Sequence, residues 1–240
     1  GTKYDGTLSG SAPAANTTSL DDDRTVAVTS YGPVNEGSTY AMFKVEGTPG
    51  YAMDLALQAA TSGTAATTSG FTFQFSTDGG TTWTTYDATH KPTVPAGGSF
   101  FVRVNITTEA DTTFEGAETF ALKASYSTNT SKNAAADTSI VDDNTGSTYL
   151  STLTGSTPTA NTTSLDDDRT VGVTAYGPVN EGSTYAMFKV DGTPGYAMDL
   201  TLQAASSGTA ATTGGFTFQF STDGGTTWTT YDATHKPTVP

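Results

Sequence analysis

The chain contains no cysteine, so disulfides, thiolate metal sites and cysteine nucleophiles are excluded. It has two histidines, His90 and His235, at equivalent places in a repeated sequence. Positive charge is scarce: 10 Lys and Arg stand against 24 Asp and Glu, for a net charge of −14. So acidic a chain repels phosphate backbones and anionic lipid, which argues against nucleic-acid partners and polybasic membrane docking. No run of 18 apolar residues is present, so nothing in this segment reads as a membrane-inserted helix. No cationic-then-apolar leader opens it either, and the chain reads as an excerpt of a longer protein. Val, Leu, Ile and Phe together number 37 of 240 residues. That share lies below the roughly 20% at which composition alone signals disorder.

Two abundances oppose disorder. Aromatic residues make up 10% of the chain, and threonine numbers 52. Threonine favours the pleated, half-buried surface of a sheet. A lean core beside a large negative charge predicts a β-protein whose stability depends on something more, and a divalent cation is the natural candidate.

The sequence repeats itself at an offset of 145: residues 1–95 and 146–240 agree at 82 of 95 positions. Repetition at long period is the mark of an array. Nothing in the second copy corresponds to residues 96–145. Long, nearly identical repeats suit a protein that makes length better than an enzyme with one active site.

Within the first copy, residues 25–29, 40–45, 52–58, 71–76, 81–86, 99–107, 119–124 and 138–141 read as strands from their alternation. Asp78-Gly79 between two of them is a hairpin signal. Ser76 to Trp83 (STDGGTTW) also fits the Asp-box, a turn braced by aspartate, but its 145-residue recurrence excludes a propeller, which repeats every 40–50 residues. Helical periodicity is absent, so the expected fold is an all-β antiparallel sandwich in tandem repeats. The expected boundaries are a Ser/Thr-rich connector over 1–23, a sandwich over 24–144, a repeated connector over 145–168, alternatively an extra hairpin in which Tyr149, Leu153 and Leu165 pack, and the opening part of a second, incomplete sandwich over 169–240.

The carboxylates cluster at Asp21-Asp22-Asp23, Glu36, Glu109, Asp111, Glu115, Glu118 and Asp142-Asp143, with Asp166 to Asp168 repeating the first run. Several sit where strands end, places that can meet at one end of a sandwich. Ca²⁺ takes 6–8 oxygen ligands in irregular geometry, which such a cluster supplies. The other reading is a solvated acidic surface that keeps the protein soluble. Tyr31, Trp83 and Tyr86 read as core or, alternatively, as a sugar-binding platform. His90 reads as a solvated turn residue, and no catalytic constellation stands out, so no enzyme is expected.

Three segments resemble the Calx-beta domain: Val34-Asn35-Glu36-Gly37, then Asp111 with Phe114-Glu115-Gly116-Ala117-Glu118-Thr119-Phe120, and Ile140-Val141-Asp142-Asp143. The resemblance covers about 120 residues of the first copy and the opening half of the second. It implies an Ig-like sandwich and Ca²⁺ ligands at Glu36, Asp111, Glu115, Asp142 and Asp143. Asp21, Asp22 and Asp23 look like the acidic end of a preceding unit. Similar domains occur in tandem in secreted bacterial adhesins of the RTX type. The implied role is a calcium-stiffened extender at the cell surface whose partners are neighbouring repeats. The alternatives are a subunit that self-assembles into a filament, sheath or surface layer, and a carbohydrate-binding module.

Overall fold

The computed structural model describes residues 22–60, 63–150, 167–203 and 214–240. The chain divides into two compact units, Gly1–Asp167 and Asp168–Pro240. No helix occurs among the described residues, and the protein is all-β.

The first unit contains β1 (Val26–Ser30), β2 (Val34–Asn35), β3 (Tyr40–Gly47), β4 (Met53–Ala59), β5 (Thr64–Ala65), β6 (Thr72–Ser76), β7 (Thr84–Thr85), β8 (Ser99–Asn105), β9 (Glu118–Tyr126) and β10 (Asn129–Val141). One sheet runs β1-β3-β8-β6-β7, antiparallel throughout. The other runs β2-β10-β9-β4, with β5 also pairing β9. In β8 the alternation of sequence becomes an alternation of burial: Phe100, Val102 and Val104 are buried, while the residues between them are only partly so. Phe43 of the first sheet meets Phe120 of the second edge-on, with ring centroids 5.9 Å apart, and Phe71 meets Phe120 at 5.3 Å. Each such fully buried side chain contributes about 1.5–3 kcal/mol relative to exposure. This is how a chain with few aliphatic residues closes a core: aromatic rings supply the missing area.

The hairpin between β6 and β7 turns at Asp78, as the Asp-box predicts. Asp78 accepts bonds from the Ser76 hydroxyl (2.8 Å), the Thr82 N–H (2.9 Å) and the Thr82 hydroxyl (2.6 Å). These bonds hold its carboxyl down at about 2, the Thr82 hydroxyl contributing most. Tyr31, Trp83 and Tyr86 pack against the core. Trp83 is further covered by the Arg103 guanidinium, 4.3 Å from its ring centroid, and Arg103 lies equally close over Tyr40.

Two features were not visible as such in the sequence, and a third, the packing of Tyr149, stood there only as the alternative to a connector. Residues 138–141 are the end of a 13-residue strand, β10, whose opening stretch is polar. Inside the turn-rich segment 31–37 lies the short strand β2, which runs parallel to β10. Residues 145–150, read as the start of a connector, pack on the first unit: Tyr149 is buried, and Tyr40 N–H donates to its carbonyl at 3.0 Å.

Among its described residues the second unit has β11 (Val171–Ala175), β12 (Phe188–Gly192), β13 (Gln219–Phe220) and β14 (Thr229–Thr230). β11 pairs β12 and β13 pairs β14, giving two separate two-stranded sheets.

Candidate metal centre

The parallel pairing of β2 with β10 sets Val34 opposite Ile140 and Asn35 opposite Val141. The next residues on the two strands are Glu36 and Asp142, so the register alone makes them neighbours. The Glu36 N–H extends the ladder to the Val141 carbonyl at 2.9 Å. Carboxylate oxygens of Glu36 and Asp142 lie within 4.8 Å of each other, and both residues are buried. Two ionised carboxylates at that separation repel by about 3–4 kcal/mol at an effective dielectric near 20.

The loop from β8 to β9 closes over this pair through its backbone. Asp111 N–H donates to Glu36 Oε1 at 2.8 Å, and Glu115 N–H donates to Asp142 Oδ2 at 3.3 Å. The side chains of Asp111 and Glu115 are exposed. Asp111 Oδ1 accepts the Thr113 N–H at 2.6 Å. Glu109, in the same loop, is pushed up to about 7, chiefly by burial and then by the hydrogen-bonded Glu118 carboxyl. That end of the unit is therefore crowded with negative charge.

Asp143 turns away into a tight bend. Its Oδ1 accepts both the N–H (3.1 Å) and the hydroxyl (2.5 Å) of Thr145, and Asn144 adopts a left-handed φ of 57°. The bend returns the chain alongside β2, where Asn35 clamps it. Asn35 Nδ2 donates to the Gly146 carbonyl (2.9 Å) and the Thr148 hydroxyl (3.0 Å), and Asn35 Oδ1 accepts the Gly146 N–H (2.7 Å). Gly146 is required by contact: a Cβ there would lie 2.6 Å from the Val34 carbonyl carbon. Asn35 carries as much of this arrangement as Glu36 does. Its signal was its place beside Glu36 in the Asn-Glu-Gly motif.

Asp22 is elsewhere. It pairs with Arg24 (Nε to Oδ1, 2.8 Å) and accepts from Asn129 Nδ2 at 2.8 Å. The Arg24 guanidinium holds its carboxyl well below the usual range. Arg24 in turn lies between the rings of Tyr51 and Tyr126, 4.7 and 4.6 Å from their centroids. From Asn133, just past the bulge that follows Asn129, β10 runs eight residues to Val141, about 26 Å of extended chain. Asp22 therefore belongs to the opposite end of the unit from Glu36 and Asp142. Asp23 is exposed, and Asp21 lies outside the described residues.

The arrangement defines an all-β sandwich with a buried acidic pair where its last strand ends. No family model, curated protein or solved structure matches the chain.

Proposed function

We propose that the chain is an extender repeat of a secreted bacterial cell-surface protein, of Calx-beta type, stiffened by Ca²⁺ at Glu36 and Asp142. The observation that carries this reading is the register of β2 on β10, which sets two buried carboxylates side by side. The donors are hard oxygens, and the neighbouring loop carries further carboxylates at Asp111 and Glu115. That chemistry fits calcium and offers nothing to a soft-ligand metal. Bound there, the ion would supply positive charge that offsets the carboxylate repulsion.

The protein's own residues do the rest. Glu36 and Asp142 end adjacent strands, and their oxygens hold the β8–β9 loop by its Asp111 and Glu115 N–H groups. Asn35 ties the departing chain to β2 a few residues on. A cation on the pair therefore braces the loop, the last strand and the exit segment together. The length of the array comes from the 145-residue repeat.

The test is thermal unfolding of the 240-residue chain in millimolar Ca²⁺ against EDTA. An ion that binds only the folded state at 100-fold its Kd adds about 2.7 kcal/mol, or roughly 10 °C for a unit of this size. An unchanged midpoint overturns the calcium reading. Sedimentation separates an extender from the filament or surface-layer reading, since the latter requires polymers.

A further inference from the structure

Two arginines of the first unit lie between pairs of aromatic rings, and their forks are answered differently. Arg24, between Tyr51 and Tyr126, is satisfied by the protein. Its Nε and Nη2 donate to the Asp22 carboxylate at 2.8 and 2.5 Å, and its Nη1 donates to the Thr128 hydroxyl at 2.9 Å. Arg103 lies between Tyr40 and Trp83, each ring centroid 4.3 Å from the guanidinium. Its Nε donates to the neutral Gln74 Oε1 at 2.8 Å. Among the described residues its Nη1 and Nη2 have no acceptor, and no carboxylate pairs with it. Burial lowers this guanidinium from its usual value, opposed by Tyr40 and by no acidic group. In a chain with 24 Asp and Glu against 10 Lys and Arg, an arginine without a carboxylate is a marked exception.

Arg103 borders a pocket of about 100 Å³. The register builds it. Tyr40, Asn105 and Thr72 stand in one row across β3, β8 and β6, and Arg103, Gln74 and Thr85 stand in the next across β8, β6 and β7. Phe100, Val102 and Val104 take the other face of β8 into the core, so both rows lie on the side away from it. The amide acceptors here are already used. Gln74 Oε1 takes Arg103 Nε, and Asn105 Oδ1 takes the N–H and the hydroxyl of Thr107 at 3.0 and 2.7 Å. What is left over is donors: the Arg103 Nη groups, Asn105 Nδ2 and the Tyr40 hydroxyl make no hydrogen bond among the described residues.

We propose that this pocket binds the carboxylate of an acidic sugar, a uronic acid unit of a polysaccharide, with Arg103 as its anchor. A guanidinium already held between two rings loses little further freedom on binding, and a carboxylate matches its fork bidentately. One guanidinium and no lysine in the lining balance a single negative charge, which favours a carboxylate over a doubly charged phosphate. The remaining lining is hydroxyl and amide with no aliphatic side chain, which suits a polyhydroxylated ligand rather than an apolar peptide. The pocket has room for the carboxylate, and the rest of the sugar lies along the sheet. The faces of Tyr40 and Trp83 are covered by the guanidinium, so the open chemistry is the arginine's and not a ring platform's. Neither Glu36 nor Asp142 takes part, so failure of this site leaves the calcium reading standing.

The experiment titrates the ¹⁵N-labelled 240-residue chain with trigalacturonate, and separately with maltotriose and with inorganic phosphate, at one fixed Ca²⁺ concentration. The expected result is saturable binding of trigalacturonate at millimolar concentration or below. Signals of the Arg103 Nε–H, the Asn105 side-chain amide and the Trp83 indole N–H should shift, and the backbone amides of Glu36 and Asp142 should not. Arg103→Gln should weaken binding about tenfold or more, the loss expected when a hydrogen-bonded charge is removed. That change also removes ring packing, so Thr72→Glu is the second variant. It sets a negative charge at an exposed position of the lining, leaves the stacked arginine in place, and should weaken binding as much. Absence of saturable binding overturns the proposal. So do equal affinity for maltotriose, tighter binding of phosphate, and binding that Thr72→Glu leaves unchanged.

Discussion

The first unit and the second carry almost the same sequence over 72 positions and differ in what covers them. Their local structures agree closely. The Asp78 turn recurs at Asp223, where the Ser221 hydroxyl donates at 2.7 Å and the Thr227 hydroxyl at 2.6 Å. Tyr231 stacks on Phe218 at 4.7 Å as Tyr86 stacks on Phe73 at 4.8 Å. What differs is burial of the apolar face. Turns are held by bonds spanning a few residues, so they form wherever their sequence occurs. A core is a relation between distant segments, and among the described residues the first unit shows both sides of it.

The largest expected difference is in protection. Amides of β1 and β3 should exchange roughly 10,000-fold more slowly than those of β11 and β12, about 5 kcal/mol of opening energy. Hydrogen exchange on the 240-residue chain measures this, and equal rates would break the comparison. Next come paired truncations. Phe43→Ala should cost the first unit about 3–5 kcal/mol through the cavity it leaves. Phe188→Ala, at an exposed position, should change stability by no more than about 0.5 kcal/mol. Urea midpoints of the two variants decide it.

Smaller effects follow from the carboxylates. Glu36→Gln should abolish most of the calcium-dependent rise in the unfolding midpoint. Glu181→Gln, at the matching but exposed position, should leave that rise intact. Equal losses would mean that burial beside Asp142 is not what makes Glu36 a ligand.

The smallest difference should be none. Asp78 and Asp223 both sit at about 2 in the folded chain, below the ordinary 3.8, because the Thr82 or Thr227 hydroxyl leads a set of bonds to each. A depressed carboxyl contributes stability that is present above pH 3.8 and lost as pH falls through about 2. Both hairpins should therefore loosen together over that window. Amide signals of Thr82 and Thr227 followed by NMR would show it, and opening of one hairpin well before the other would break the parallel.

Much of the first unit was legible because its inner strands alternate. Ser99 to Asn105 announces its buried face, and Asp78-Gly79 announces its turn. The opening stretch of β10, Asn-Thr-Ser-Lys-Asn-Ala-Ala-Ala-Asp, carries no such pattern. It is a strand because β9 lies beside it, which no local propensity reveals. Residues 145–150 read as connector for the same reason: their place is set by Asn35, more than a hundred residues away. At the acidic end, the motifs pointed to Glu36 and Asp142, which the fold does bring together. They did not show that the neighbouring loop is held there by the N–H groups of Asp111 and Glu115. Nor did they show that Asp22 answers to Arg24 at the other end of the unit.

By itself the sequence determined the turns, the alternation of the strands, the charge and the repeat, since each is a property of residues near one another along the chain. Which carboxylates became neighbours, which polar stretch became a strand and which of two identical phenylalanines was buried were decided only in the tertiary structure. Burial and register are energies of contact between segments far apart in sequence, so residues read next to one another along the chain do not set them.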